Sequence, residues 1–281
     1  MAVWAVSASV GGFLVLIPLL QGVYTPLEPY IIPLSQRVNN AMAFGLVIAL
    51  LFPAVVEYNN YAWGRQVDRN IPRLLRDVTE AVRSGITLPR ALEEASQRDY
   101  GPVSKELEHA MAMFILGVSW EESLTSLARR LRRPGALRFC SILVEAHQTG
   151  GKVMDVLESS VDLFSSLDQY REESYAQMRP YTMVIYTATL VFLIVAYVLL
   201  HQFLTPLSKM SSNSLMQGTS FLEGVLDINY YRSILFWASI MESIFGGLVA
   251  GKVGDGTLAA GLRHSVILSA ITLIFFNVLS F

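Results

Sequence analysis

Residues 246–256 read GGLVAGKVGDG, a stretch whose spacing approaches two kinds of chemistry. The phosphate-binding pattern G-x-x-x-x-G-K-[ST] is met at Gly246, Gly251 and Lys252, but the next residue is Val253, not the hydroxyl that would ligate Mg²⁺. That pattern also needs a β-strand ahead of it, and here it lies in a segment apolar enough to cross a membrane. In such a helix, small pairs such as Gly246/Ala250 and Gly247/Gly251 allow a neighbouring helix to come close. Gly254 and Asp255 approach the G-x-G-D pattern of intramembrane aspartyl proteases, but Lys252 and Val253 precede them. The apolar spans hold no second aspartate, and that chemistry needs one ionised carboxylate beside a protonated one. The stretch therefore predicts neither nucleotide hydrolysis nor peptide cleavage, and the chain reads as a non-enzyme.

Two other groups of residues can bear function. Glu242 is the one acid deep in an apolar span. An ionisable group there costs about 2.5–3.5 kcal/mol on insertion scales and is a functional candidate by default. At i±4 spacing it shares a face with Ala238, Gly246 and Ala250, so it either bonds a neighbouring helix or meets another protein inside the membrane. The run ARRLRRPG places Arg129, Arg130, Arg132 and Arg133 at a helix end. Cations there complement the helix dipole; they also suit an acidic protein surface or anionic headgroups, worth about 1 kcal/mol per charge. The acidic pairs Glu93/Glu94, Glu121/Glu122 and Glu172/Glu173 point about 100° apart on a helix, so they read as solvated faces and not as dyads. His147 lies near Glu145 without any nucleophile pattern and reads as structural. His109, His147, His201 and His264 lack ligand spacing, and the single Cys140 excludes an internal disulfide. No metal and no cofactor are expected.

The elements that must position these residues follow from composition. Of 281 residues, 53% are hydrophobic and 16% charged, too apolar for a soluble domain of this length. Five segments meet or approach the about 20 apolar residues a span needs: 2–20, 41–58, 181–204, 231–250 and 263–281. The second is short, and its apolar run is expected to continue as a helix into the polar region. The N-terminus lacks the basic lead and cleavage site of a signal peptide, so the first span is expected to stay in the mature chain. Sixteen of the 21 Lys and Arg fall between residues 65 and 179. With the N-terminus inside, inner segments carry 18 basic residues and outer ones three, Arg37, Lys209 and Arg232. Tyr24, Tyr30, Tyr230 and Tyr231 then fall at the outer interface. The expected layout is a multi-pass cell-membrane protein with a cytoplasmic N-terminus and central domain and an external C-terminus. Residues 1–58 would form two spans, 59–180 a cytoplasmic bundle, and 181–281 three further spans.

Apolar residues in 59–180 recur at helical spacing, as at Leu74, Leu75, Val78 and Val82, which predicts about six helices and an all-α fold. Gly85, Gly117 and Gly150/Gly151 each end a helix, with Thr87 and Ser119 as following N-caps and Ser119 with Glu122 as a capping box.

The order of SGITLPRAL, LGVSWEESLTSLARRL and EAHQTGGKVMDVLESSVDLF resembles the type II secretion system F domain. Members of that family are membrane assembly platforms of type IV pili, type II secretion systems, Tad pili and the archaellum. The stretch MESIFGGLVAGKVGDGTLAAGLRHSVIL is most similar to the archaeal branch. The resemblance spans roughly residues 73–264. It implies a cytoplasmic helical domain docking on a hexameric secretion ATPase, spans that contact pilin-like subunits, and no nucleic-acid partner. One such domain instead of two is closer to the Tad-type layout, which implies a homodimer or a second platform subunit. The rival reading is a transporter or signalling protein with a regulatory bundle. A transporter would show repeated spans and broken helices near the midplane, and two spans before the domain with three after it give no such repeat.

Overall fold

The computed structural model describes residues 2–21, 32–207 and 228–278. Among them every regular element is a helix: α1 (Ala2–Leu20), α2 (Gln36–Arg83), α3 (Leu88–Ser96), α4 (Pro102–Ile115), α5 (Trp120–Leu131), α6 (Pro134–Thr149), α7 (Val153–Val198), α8 (Ile228–Asp255) and α9 (Leu258–Val278). A short 3₁₀ turn, Gly150–Lys152, precedes α7, and a π-helical turn, Leu199–Leu204, follows it. Helices α1, α2, α7, α8 and α9 each contain a window long and apolar enough to cross a membrane. Tyr24, Tyr30 and Lys209 lie outside the described residues.

The chain divides into two compact units, Met1–Tyr58 with Gln177–Phe281, and Asn59–Ala176. Helices α2 and α7 pass from one to the other unbroken.

In the unit of spans, small residues bring helices together where hydrocarbon offers no hydrophobic drive. A Cβ on Gly11 of α1 would overlap Ala49 of α2, and Ser7 donates to the Ala49 carbonyl at 2.7 Å. Helices α8 and α9 form a tight hairpin in which a Cβ on Gly247 would strike the Ser265 backbone and one on Gly251 the Gly261 backbone. Buried hydroxyls line this seam: Ser243 and Thr272 lie 2.8 Å apart, and Ser265 donates to the Ile244 carbonyl at 2.7 Å. Asn39 of α2 is fully buried and satisfied, donating to Ser233 at 2.9 Å and accepting the Trp237 indole N–H at 3.0 Å. Phe236, Ile240, Leu273 and Phe276 form the apolar centre.

In the second unit, α2 and α7 run antiparallel: Arg83 meets Glu158 at 2.8 Å, Arg76 reaches Ser165 at 3.5 Å, and Arg65 lies 4.9 Å over the Tyr175 ring. The intervening helices alternate in direction. Tyr100, between α3 and α4, donates to Asp77 of α2 at 2.6 Å. Trp120, opening α5, donates to the Leu143 carbonyl late in α6 at 3.2 Å, while Arg133, just before α6, pairs with Asp68 of α2. Helices α2, α4 and α6 therefore run one way, and α3, α5 and α7 return. The unit has a near end, where α2 joins and α7 leaves, and a far end holding the turns after α2, α4 and α6. Each far turn contains a glycine with positive φ: Gly85 at 95°, Gly117 at 96° and Gly150 at 61°. A side chain is strained in that conformation, which is why the glycine motif recurs. Thr87 occupies an N-cap position but makes no capping bond; Ser119 accepts the Glu122 N–H at 3.2 Å. The core is aliphatic, with Leu74, Leu75, Leu107, Leu124, Leu143 and Leu157 fully buried, each worth about 1.5–3 kcal/mol.

Candidate functional site

The four arginines do not form one patch. Helix α5 ends at Leu131, and Arg132 adopts a left-handed conformation (φ 50°) that turns the chain into α6. Arg130 points back along α5 and pairs with Glu106 of α4. Arg133 is drawn inward: its guanidinium lies 3.2 Å from where a Cβ on Gly64 would be, and it donates to Asp68 through Nε at 3.2 Å. That bond holds the Arg133 guanidinium above the ordinary arginine range. Arg129 and Arg132 are exposed and form no ion pair among the described residues.

All four lie at the near end, because Asp68 and Gly64 sit close to where α2 joins the unit. Arg65, Arg69 and Arg171 lie there too, around a cleft of about 240 Å³ shared with Asp68, Asp168, Glu172, Arg133 and Tyr175. The acidic pairs are dispersed: Arg90 binds both Glu93 (2.9 Å) and Glu94 (3.3 Å), while Glu121/Glu122 and Glu172/Glu173 are exposed. His147 stacks on Trp120 with ring centroids 5.1 Å apart.

In α8, Gly246 faces α7, where a Cβ would meet Ile185 at 3.4 Å. Glu242 is one turn away on that face, partly buried, with its Oε2 enclosed and without a hydrogen-bond partner among the described residues. Ala250 is fully buried. The closest approach of helices lies one residue round from this face, at Gly247 and Gly251 against α9. The run GGLVAGKVGD is continuous helix through Asp255, so no loop exists there to cradle a phosphate.

One cluster escaped sequence reasoning. Asp255, 8% exposed, accepts a hydrogen bond from Arg263 at 2.6 Å, and His264 Nε2 lies 3.5 Å from the same carboxylate. His264 Nδ1 is 2.8 Å from the Tyr186 hydroxyl of α7, and the Arg263 guanidinium lies 5.2 Å over the Tyr58 ring of α2. Arg263 Nε lies 3.2 Å from His264 Nε2, so the guanidinium and the imidazole are side by side. Side chains from four helices thus gather around the Asp255–Arg263 pair. Only the adjacency of Arg263 and His264 was visible in the sequence. The arrangement is a satisfied ion-pair network, with no nucleophile and no ligand set for a metal among the described residues.

An uncharacterized protein of Methanocaldococcus jannaschii is 27% identical over 227 residues, covering 81% of this chain and 36% of that protein. The chain thus spans little more than a third of that relative's length. No solved structure matches. The family described as type II secretion system (T2SS), protein F, matches residues 74–201, from the middle of α2 into the π-helical turn after α7. Residues 74–201 of this chain, which has five helices long and apolar enough to cross a membrane, are thus similar to type II secretion system protein F.

Proposed function

We propose that the protein is a membrane assembly-platform subunit of a type IV pilus-like filament or secretion machine, of the archaeal type. It couples a hexameric cytoplasmic ATPase to the assembly of pilin-like subunits. The observation that carries this reading is the protein F domain at residues 74–201 joined to spans by two unbroken helices, α2 and α7. Energy comes from the partner ATPase. The helical unit and N-terminus face the cytoplasm and the C-terminus lies outside, following the basic residues. A homodimer or a second platform subunit completes the assembly.

Within this reading the two exposed arginines of the run, Arg129 and Arg132, meet anionic lipid headgroups. Both are free of ion pairs among the described residues, and a cation near an anionic bilayer surface gains about 1 kcal/mol. Glu242, with Gly246 and Ala250 beside it, is the candidate contact for a pilin-like helix within the membrane. Deleting the gene should abolish filaments, and the purified ATPase should bind the full chain in detergent. Filaments that persist unchanged, with no ATPase retained by the chain, would refute the proposal.

A further inference from the structure

The far end of the helical unit carries two neighbouring apolar side chains that the fold does not use. Leu116 is 85% exposed and Ile115 66% exposed, side by side where α4 ends. The turn does not need them outward: Gly117 supplies its positive φ, and Phe114 packs inward, edge-on to Trp120 with centroids 5.3 Å apart.

The unpaired charges at this end are mainly acidic. Glu80, Glu121, Glu122, Glu145 and Asp155 are exposed at the far end, and none forms an ion pair among the described residues. The cations there are mostly consumed, Arg83 by Glu158 and Arg90 by Glu93 and Glu94, leaving Lys152. Helix-start preference accounts for Glu121, Glu122 and Asp155. It does not account for Glu80 and Glu145, which lie near the C-terminal ends of α2 and α6, where the dipole disfavours an acid. An acidic field excludes anionic lipid, nucleic acid and a second copy of the same face. A basic protein surface with an apolar pocket fits.

We infer that this far end, with Leu116 and Ile115 as the anchor and the surrounding carboxylates as the steering field, is the docking surface for a basic face of the cytoplasmic ATPase. The inference rests on the platform reading above. An exposed apolar anchor on an end rich in unpaired carboxylates is the arrangement in which a few side chains carry most of the affinity and the charges set the rate and salt dependence of encounter.

The test uses the full chain in detergent and the purified hexameric secretion ATPase of the same system. Ile115→Ser with Leu116→Ser, and separately Glu121→Lys with Glu122→Lys, should each weaken binding by about tenfold or more. The charge variant should also lose most of the salt dependence. Arg129→Glu with Arg132→Glu, at the opposite end, should bind as the wild type does. Since Leu116 and Ile115 are exposed, helical content and melting temperature should not change; Glu145→Lys, clear of the α5 start, serves as a second charge variant. If the wild type binds and all far-end variants bind within about twofold of it, the surface is wrong while the platform reading stands. If the wild type itself does not bind the ATPase, both fail.

Discussion

Asp255 accepts a hydrogen bond from Arg263 at 2.6 Å across the turn between α8 and α9, with His264 beside them. Removing the carboxylate by Asp255→Ala leaves two basic side chains facing each other in a mostly buried site. Breaking a buried pair in this way costs about 3 kcal/mol or more. Detergent-titrated unfolding should read that loss, and exchanging the charges (Asp255→Arg with Arg263→Asp) should recover part of it. A stability equal to wild type for the single variant would show that the pair is solvated.

Gly247 is irreplaceable in a way that Gly246 is not. A Cβ at 247 collides with backbone of α9, which cannot yield, whereas one at 246 meets the Ile185 side chain at 3.4 Å. Gly247→Val should separate the hairpin and lower the yield of folded protein, and Gly246→Ala should be nearly neutral. Equal thermal stability of the two variants would contradict the packing described here.

Cys140 is buried at 3% exposure, and burial pushes its thiol up to about 12, so it should resist thiol reagents from either side of the membrane until the protein unfolds. Orientation is therefore better read from cysteines at exposed positions. Ser141→Cys, in the helical unit, should label only in permeabilised cells; Ser35→Cys should label in intact cells. The opposite pattern would reverse the proposed topology.

Arg132 holds a left-handed conformation that costs a non-glycine residue roughly 1 kcal/mol. Arg132→Gly should raise the melting temperature of the purified protein while weakening its binding to vesicles containing anionic lipid. Unchanged vesicle binding would remove Arg132 from the lipid contact.

Tyr100 is buried and hydrogen-bonded to Asp77, and together these push its hydroxyl up to about 12 from 10.0. A folded value above the unfolded one means that the contribution is complete below about pH 10 and is lost as pH rises through about 12. Tyr100→Phe should flatten the alkaline limb of the stability profile. An identical limb in the variant would show that other groups govern it.

Local signals carried much of the fold. Helical spacing of apolar residues gave the helices, and Gly85, Gly117 and Gly150 announced turns because only glycine takes positive φ without strain. What local signals could not state is where those turns go. That all three share one end follows only from the alternation of six helices, which is a property of packing. The arginine run shows the same limit. Its sequence is one block, yet Arg130 and Arg133 find Glu106 and Asp68, which are 24 and 65 residues away, while Arg129 and Arg132 stay in solvent. Glu242 was legible as an acid in a span, but the network at Asp255 was not, since its members come from four helices and no spacing links Tyr58, Tyr186 and Asp255.

The π-helical turn at Leu199–Leu204 gives α7 a dislocation. Such a turn closes its hydrogen bonds over five residues instead of four, so one residue is surplus and all that follows is rotated by about 100° relative to an unbroken α-helix. Around it Leu200 is 5% exposed and Leu204 packs against the same apolar centre, while Phe203 and Leu207 are 65% and 49% exposed. The short α-helical stretch beyond the turn, Thr205 to Leu207, therefore presents a different face to its neighbours than an unbroken continuation of α7 would.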